Sequence, residues 1–249
     1  MTHKTDHPGT VTPAPQSDAL LEVSGLNGWY GESHVLYDVN LHVNTGEVVT
    51  LLGRNGAGKT TMLKAIMGLL KTRSGNIRFQ GNELIDAPAR TVAKMGVGYV
   101  PDDRGIFGSL SVMENLLLPP KVADVGFELP ALYELFPNLE ERLDSYGDKL
   151  SGGEQQMLSI ARILRTGARF VLMDEPTEGL APVIIHQIGR TVRRLKKEGF
   201  TILLVEQNFY FARELADRHY IVQEGRVIDE FRNDEVTENL EKIQGYLGI

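Results

Sequence analysis

The run Gly-Arg-Asn-Gly-Ala-Gly-Lys-Thr-Thr at residues 53–61 decides the fold of this chain. It follows an apolar, β-branched stretch at 47–52 and precedes residues 62–68, whose apolar spacing is typical of a helix. A strand, a glycine-rich turn and a helix in this order form the context in which a loop binds phosphate groups. The alternative is a glycine-rich loop that contains lysine and threonine by chance, and the flanking strand and helix disfavour it.

The residue types in this loop have distinct predicted roles. Gly53, Gly56 and Gly58 allow left-handed backbone angles and a close approach, so that successive N–H groups can converge on phosphate oxygens. The helix that follows adds the positive end of its dipole at the same point. Lys59 is expected to reach the β- and γ-phosphates, and Thr60 is expected to ligate Mg²⁺ through its hydroxyl.

Length and composition exclude several classes of protein. The 249 residues suffice for one large domain or two closely joined subdomains, with 42% hydrophobic and 24% charged residues, as in ordinary globular proteins. No apolar run approaches the roughly 20 residues that span a bilayer, so we expect no integral membrane segment. The net charge of −7 gives no support to nucleic-acid binding, and the lack of cysteine excludes disulfides and thiolate chemistry.

Two carboxylates, Asp174 and Glu175, end an apolar stretch that begins at residue 170. Side chains at the carboxyl end of a parallel strand face the crevice in which α/β proteins bind ligands. Asp174 is therefore expected to hold Mg²⁺, and Glu175 to polarise a water molecule near the γ-phosphate. An ordinary acidic turn before a proline is the alternative, and the nearby phosphate loop makes it the weaker one.

The rest of the chain predicts an α/β fold around a mainly parallel sheet. Residues 1–19 are interpreted as a disordered leader, and 27–31 as a turn after the first strand. Residues 111–165 have a helical pattern between two predicted strands, which indicates a helical subdomain inserted at about 103–165. Within it, Leu-Ser-Gly-Gly-Glu-Gln-Gln at 150–156 opens a helix whose N-terminus could receive an anion, although alone this segment indicates only a good cap.

With residues 53–61, 150–156 and the two carboxylates in this order, the chain resembles the ATP-binding subunits of ABC transporters. The resemblance covers nearly all of residues 20–249 and implies a P-loop NTPase fold with an N-terminal antiparallel β subdomain. It also implies a head-to-tail dimer with two ATP molecules, each held between the phosphate loop of one subunit and the serine-glycine segment of the other. The implied nucleotide contacts are Tyr30, stacked on adenine, and Gly53, Arg54, Asn55, Gly56, Ala57, Gly58, Lys59, Thr60, Thr61, Ser151, Gly152, Gly153 and Glu154.

Two positions depart from the broad pattern of that family. Asp102 stands where many members carry glutamine, and its side chain is shorter and charged. The resemblance implies that Asp102 contacts the metal together with Thr60 and Asp174. Gln207 stands where the family has a histidine that switches with the γ-phosphate. Glutamine can still donate a hydrogen bond to that phosphate and act beside Glu175, but it cannot become a cation.

The segments at 100–107, 175–182 and 203–208 together resemble the LivF-type ATPase subunits of bacterial branched-chain amino acid importers. This resemblance implies a partner ATPase of the LivG type or a second copy of the chain, two membrane permeases and, indirectly, a periplasmic solute-binding protein. It implies a peripheral location on the cytoplasmic face of the inner membrane and no nucleic-acid partner. The alternatives are an ATPase for urea or short-chain amide import, a lipid or lipopolysaccharide exporter ATPase, and a soluble ABC ATPase.

Overall fold

The computed structural model describes residues 19–249. The predicted leader at residues 1–19 therefore lies outside the described residues, except that Ala19 already belongs to the first strand. The strands are β1 (Ala19–Tyr30), β2 (Ser33–Asn44), β3 (Val48–Leu52), β4 (Thr72–Phe79), β5 (Asn82–Glu83), β6 (Val97–Val100), β7 (Phe170–Asp174), β8 (Thr201–Glu206), β9 (Arg218–Gln223) and β10 (Arg226–Arg232). The helices are α1 (Lys59–Ile66), α2 (Ala89–Lys94), α3 (Val112–Leu117), α4 (Leu129–Leu135), α5 (Pro137–Glu140), α6 (Gly152–Arg165), α7 (Pro182–Lys197), α8 (Phe209–Arg213) and α9 (Leu240–Leu247).

The main sheet has six strands in the order β10-β9-β3-β8-β7-β6. Strands β9 to β6 in this order are parallel, and β10 pairs antiparallel with β9 at the edge. Every residue of β3, β7 and β8 is buried. Helices α6 and α7 cover one face of the sheet, and α1 together with strands β1, β2 and β4 covers the other. The predicted α/β class with a mainly parallel core sheet is confirmed.

The second sheet, in the order β2-β1-β4-β5, is the predicted antiparallel β subdomain. The predicted turn at 27–31 is wrong for residues 27–30, because β1 continues to Tyr30 and its last residues pair with the start of β2. Gly28 serves packing there and not a turn, since a Cβ atom at this position would lie 2.6 Å from a methyl group of Leu70. The chain reverses one residue later, at Gly31, which has a φ of 58°.

The helices α3 to α6 lie between β6 and β7 in the chain. Helix α3 begins with a capping box in which Ser111 and Glu114 satisfy each other's backbone N–H groups. Apolar side chains of α3, α4 and α5 pack with those of α6 and the main sheet in one hydrophobic cluster. Among residues 19–249, no helix is both long enough and apolar enough to cross a membrane.

At the amino-terminal ends of the parallel strands, away from the phosphate loop, the buried guanidinium of Arg218 joins neighbouring parts of the main sheet. It makes two hydrogen bonds of 2.9 Å with the carboxylate of Glu47 and one of 2.8 Å with Glu230. Burial tends to raise the pKa of Glu47, but the hydrogen bonds from Arg218 and the Asn44 backbone outweigh it and lower the pKa. The network therefore joins Glu47, the residue before β3, to strands β9 and β10.

Glu47→Gln is expected to lower the free energy of unfolding by about 2–3 kcal/mol, because it removes one charge of a buried, two-point ion pair. Urea unfolding at neutral pH measures the change. Asp234→Asn is the matched control, since the pair of Asp234 with Arg232 has side chains that are 73% and 71% exposed. Equal effects of the two substitutions would contradict a stabilising role for the Arg218 network.

Candidate functional site

The phosphate loop connects the buried strand β3 to α1, as the sequence predicts. Gly58 caps α1 with a φ of 105°, an angle that side-chain-bearing residues rarely adopt. Gly53 is required for a different reason, because a Cβ atom there would lie 2.3 Å from the backbone oxygen of Val222. The loop is thus held close to the end of β9, with its N–H groups and the N-terminus of α1 at one point.

Lys59 lies within this loop, and only 3% of its side-chain surface is exposed. Its ammonium donates hydrogen bonds to the backbone oxygens of Gly53 at 2.9 Å and Arg54 at 3.1 Å. The same group is 3.1 Å from a carboxylate oxygen of Glu175. The lysine and the second carboxylate, separated by more than a hundred residues in the chain, therefore form one cluster.

Asp174 is fully buried at the end of β7. Its carboxylate accepts a hydrogen bond of 2.9 Å from the Thr60 hydroxyl and one of 3.1 Å from the Tyr99 hydroxyl. Burial raises the pKa of Asp174 to about 6, and these two hydrogen bonds only partly oppose it. A hydroxyl and a carboxylate side by side, with no cation paired to that carboxylate among residues 19–249, fit a site for Mg²⁺.

Glu175 has a left-handed backbone conformation, with a φ of 45°. Its backbone N–H donates to the Val205 oxygen at 3.0 Å, which ties it to β8. Its second carboxylate oxygen accepts a hydrogen bond of 2.7 Å from the side-chain amide of Gln207. The two residues predicted to be catalytic are thus in direct contact.

One buried carboxylate at this sheet edge was not predicted. Glu206, at the end of β8, is 2% exposed and accepts a hydrogen bond of 2.8 Å from the hydroxyl of Thr177. Burial raises the pKa of Glu206 to about 7, and the nearby charge of Glu175 adds to the rise. No pattern in the strand 201–206 distinguishes this glutamate from the exposed polar residues that commonly end a strand.

An open cleft of about 620 Å³ lies over the phosphate loop. Asp102 lies in the wall of this cleft. Tyr30 does not line the cleft, although 50% of its surface is exposed. Two residues of β2, His34 and Tyr37, also line the cleft and were not predicted from the sequence. Their position depends on the contact of β2 with the turn between β9 and β10, for which the sequence has no local motif. The lining residues are His34, Val35, Tyr37, Asn55, Gly56, Ala57, Gly58, Lys59, Thr60, Thr61, Asp102, Glu175, Glu178, Glu224 and Gly225.

The serine-glycine segment lies elsewhere on the surface. Ser151 is exposed and caps α6 through a capping box with Glu154, and none of residues 151–154 lines the cleft. Arg104, two residues after Asp102, donates a hydrogen bond of 2.9 Å to Gln155 on α6. The loop that carries Asp102 is therefore attached to the same helix whose N-terminus the serine caps.

The profile of the ABC transporter family matches residues 36–178 of this chain. The chain belongs to the ABC transporter family. The high-affinity branched-chain amino acid transport ATP-binding protein BraG of Pseudomonas aeruginosa is 39% identical to it, over 92% of the chain and 100% of that protein. A probable branched-chain amino acid transport ATP-binding protein LivF of Archaeoglobus fulgidus is 36% identical over 84% of the chain and 90% of its own length. The lipopolysaccharide export system ATP-binding protein LptB of Escherichia coli is 34% identical over 92% of the chain and 98% of its own length.

Solved structures of ABC cassettes have the same fold. The ATP-binding subunit of an ABC transporter superposes with a TM-score of 0.80 at 31% identity, over 92% of this chain and 100% of that one. A dimeric cassette in a post-hydrolysis state, bound to ADP and phosphate, superposes with a TM-score of 0.74 at 25% identity, over 86% of this chain and 98% of that one. This chain is accordingly a nucleotide-binding ABC ATPase.

The free energy of unfolding of this ABC ATPase is expected to depend on the proton of Glu206. Because its pKa is higher in the folded than in the unfolded chain, the unfolded chain releases the proton first, and stability falls as the pH rises from about 4.5 to about 7. Glu206→Gln cannot titrate, so its stability relative to the wild type should increase across this range, by up to about 3 kcal/mol. Urea unfolding at both ends of the range, without nucleotide, measures this; a difference independent of pH would contradict it.

Proposed function

We propose that this chain is the ATP-hydrolysing subunit of a bacterial importer for branched-chain amino acids. The observation that carries the hydrolytic part is the cluster of Lys59, Glu175 and Gln207 over the phosphate loop, with Asp174 beside Thr60. The solute rests on the similarity to BraG and LivF over nearly the full chain. Residues 20–249 are proposed to form one ATPase domain, with the helical subdomain inserted at about 103–165.

In this proposal the chain's own residues bind and orient ATP. The loop N–H groups and Lys59 bind the phosphates, and Tyr30 stacks on the adenine. Thr60, Asp174 and Asp102 would hold Mg²⁺, which shields the phosphate charge when bound. Arg54 and Asn55 complete the loop around the phosphates.

Glu175 is proposed to act as the general base for hydrolysis. It accepts a proton from a water molecule that attacks the γ-phosphorus, and the bond from that phosphorus to the β-phosphate oxygen breaks to give ADP and phosphate. Gln207 donates its amide to Glu175 at 2.7 Å and would orient it, and it can also donate to the γ-phosphate. ATP would first draw Lys59 from the carboxylate of Glu175 towards the phosphates, which leaves Glu175 able to accept the proton.

A second subunit is proposed to complete the site. Ser151, Gly152, Gly153 and Glu154 form the N-terminus of α6, where Ser151 is exposed, and none of the four lines the cleft of its own chain. This position supports their contacting ATP bound by a partner. The similar post-hydrolysis cassette is itself dimeric. ATP would then join two subunits through charge-assisted hydrogen bonds, and hydrolysis would release them. The partner is a LivG-like ATPase or a second copy of this chain.

The helical subdomain is proposed to dock on membrane permeases. Leu117 and Leu118 are 48% and 51% exposed at the end of α3. An apolar groove of about 330 Å³ lies nearby, with Leu69 and Pro119 in its wall. An apolar surface of this kind suits the docking of a helix from a permease subunit, and two such permeases are proposed. Docking would place the chain on the cytoplasmic face of the inner membrane. It would also couple the chain, indirectly, to a periplasmic solute-binding protein.

Three other functions are distinguished by partner and solute. Import of urea or short-chain amides uses the same ATPase chemistry, and the similarity to LptB leaves lipopolysaccharide export as a candidate. Gln207 counts against the exporter, in which we expect a histidine. A soluble ABC ATPase would lack permeases altogether.

Purification from native membranes and reconstitution in proteoliposomes separate these functions. We expect two permeases to co-purify with the tagged full-length chain, and ATP to drive uptake of labelled leucine, isoleucine or valine in the presence of the solute-binding protein. Uptake of urea or acetamide instead would replace the solute assignment. A chain that co-purifies with no permease would overturn the importer.

Glu175→Gln is expected to lower the ATPase rate at least about a hundredfold, because an amide cannot accept the proton of water. ATP affinity should persist, since the loop and Lys59 are intact. Phosphate release and calorimetric ATP binding measure the two quantities. Lys59→Ala is the matched counterpart and should weaken ATP binding itself; a Glu175→Gln enzyme that retains near-normal turnover removes Glu175 from the role of base.

A further inference from the structure

A buried hydrogen bond joins the loop after β7 to the end of β8, and the proposed mechanism does not use it. The hydroxyl of Thr177 donates to the carboxylate of Glu206 at 2.8 Å, and the two residues are 6% and 2% exposed. Neither residue lines the nucleotide cleft. The bond therefore does not serve direct contact with ATP.

The Glu206 carboxylate is costly to keep at this position. Within residues 19–249 no lysine, arginine or histidine forms an ion pair with it, and burial raises its pKa to about 7. A buried carboxyl group without a counter-charge opposes folding, and such groups persist mainly where they serve a function. An apolar residue would pack in the core at this strand end without this cost.

The hydrogen bond joins the two segments that carry Gln207 and Glu175, whose side chains must stay in contact in the proposed mechanism. On one side, Gln207 follows Glu206 directly and donates to Glu175. On the other side, Thr177 lies two residues after Glu175, and its backbone oxygen accepts a hydrogen bond of 3.3 Å from the N–H of Leu180. The Thr177 side chain therefore fixes the start of the segment 178–182 to the strand that Gln207 directly follows.

We propose that Thr177 and Glu206 are a positioning pair, which holds Glu175 in its left-handed conformation opposite Gln207. The proposal rests on the proposed role of Glu175 in hydrolysis. Without the bond, the turn after β7 loses a side-chain hydrogen bond to β8. The contact of Glu175 with Gln207 and the backbone bond from Glu175 to Val205 remain to hold the two segments together. The carboxylate of Glu175 would then leave the geometry that proton transfer needs.

Thr177→Val tests the pair, because it removes the hydroxyl at nearly constant volume. In full-length protein we expect kcat for ATP hydrolysis to fall about tenfold, with KM and ADP affinity unchanged within about twofold, since the phosphate loop is not touched. Thr177→Ser keeps the hydroxyl and should restore most of kcat. Thr191→Val is the matched control, because Thr191 is another buried threonine, 3% exposed, whose hydroxyl donates to a backbone oxygen on α7 away from the cleft.

A second pair of variants keeps the test informative where Thr177→Val is unstable. Thr177→Val combined with Glu206→Met leaves no stranded carboxylate, so the double variant should be at least as stable as the single one. Its kcat should be below that of the wild type by no more than the kcat of Thr177→Val is, because both substitutions remove the same hydrogen bond. A kcat equal to that of Thr191→Val, or a fall in kcat matched by an equal rise in KM, would overturn the positioning role.

Discussion

The parallel pairing of β8 with β3 on one side and β7 on the other is the constraint on which this site depends. Leu52 lies opposite Glu206, and Asp174 lies opposite Val205. Because parallel strands end at the same sheet edge, three distant segments of the chain deliver the phosphate loop, two carboxylates and Gln207 to one place. The backbone register, rather than any single side-chain contact, therefore sets the distances between Lys59, Glu175 and Gln207.

Features encoded by local sequence were predictable, whereas features created by long-range pairing were not. The loop around Lys59 and the acidic end of β7 have motifs that specify both residue type and neighbouring element, and the structure brings them together. The predicted turn at 27–31 was wrong for residues 27–30, because glycine suggests a reversal, whereas Gly28 is instead required by the packing of Leu70. His34 and Glu206 were missed for the same reason, since β2 and β8 acquire their neighbours only through tertiary contacts.

The electrostatics of the site are dominated by an excess of carboxylates over cations. Burial raises the pKa of Asp174 to about 6 and that of Glu206 to about 7, and the charge of Glu175 raises the pKa of Glu178. Lys59 is the one lysine or arginine that forms an ion pair with any of these four groups in the described part of the chain. Such an arrangement favours the binding of further positive charge, which is consistent with a site that receives a nucleotide together with a divalent cation.

The left-handed backbone of Glu175 has a consequence for how this protein can be altered. A side chain in that conformation stores strain, and glycine would relieve it while removing the carboxylate. Selection for thermostability alone would thus tend to remove the group on which turnover depends. In directed evolution of this chain, heat tolerance and catalysis would be opposing objectives at this one position, so that a screen must score both.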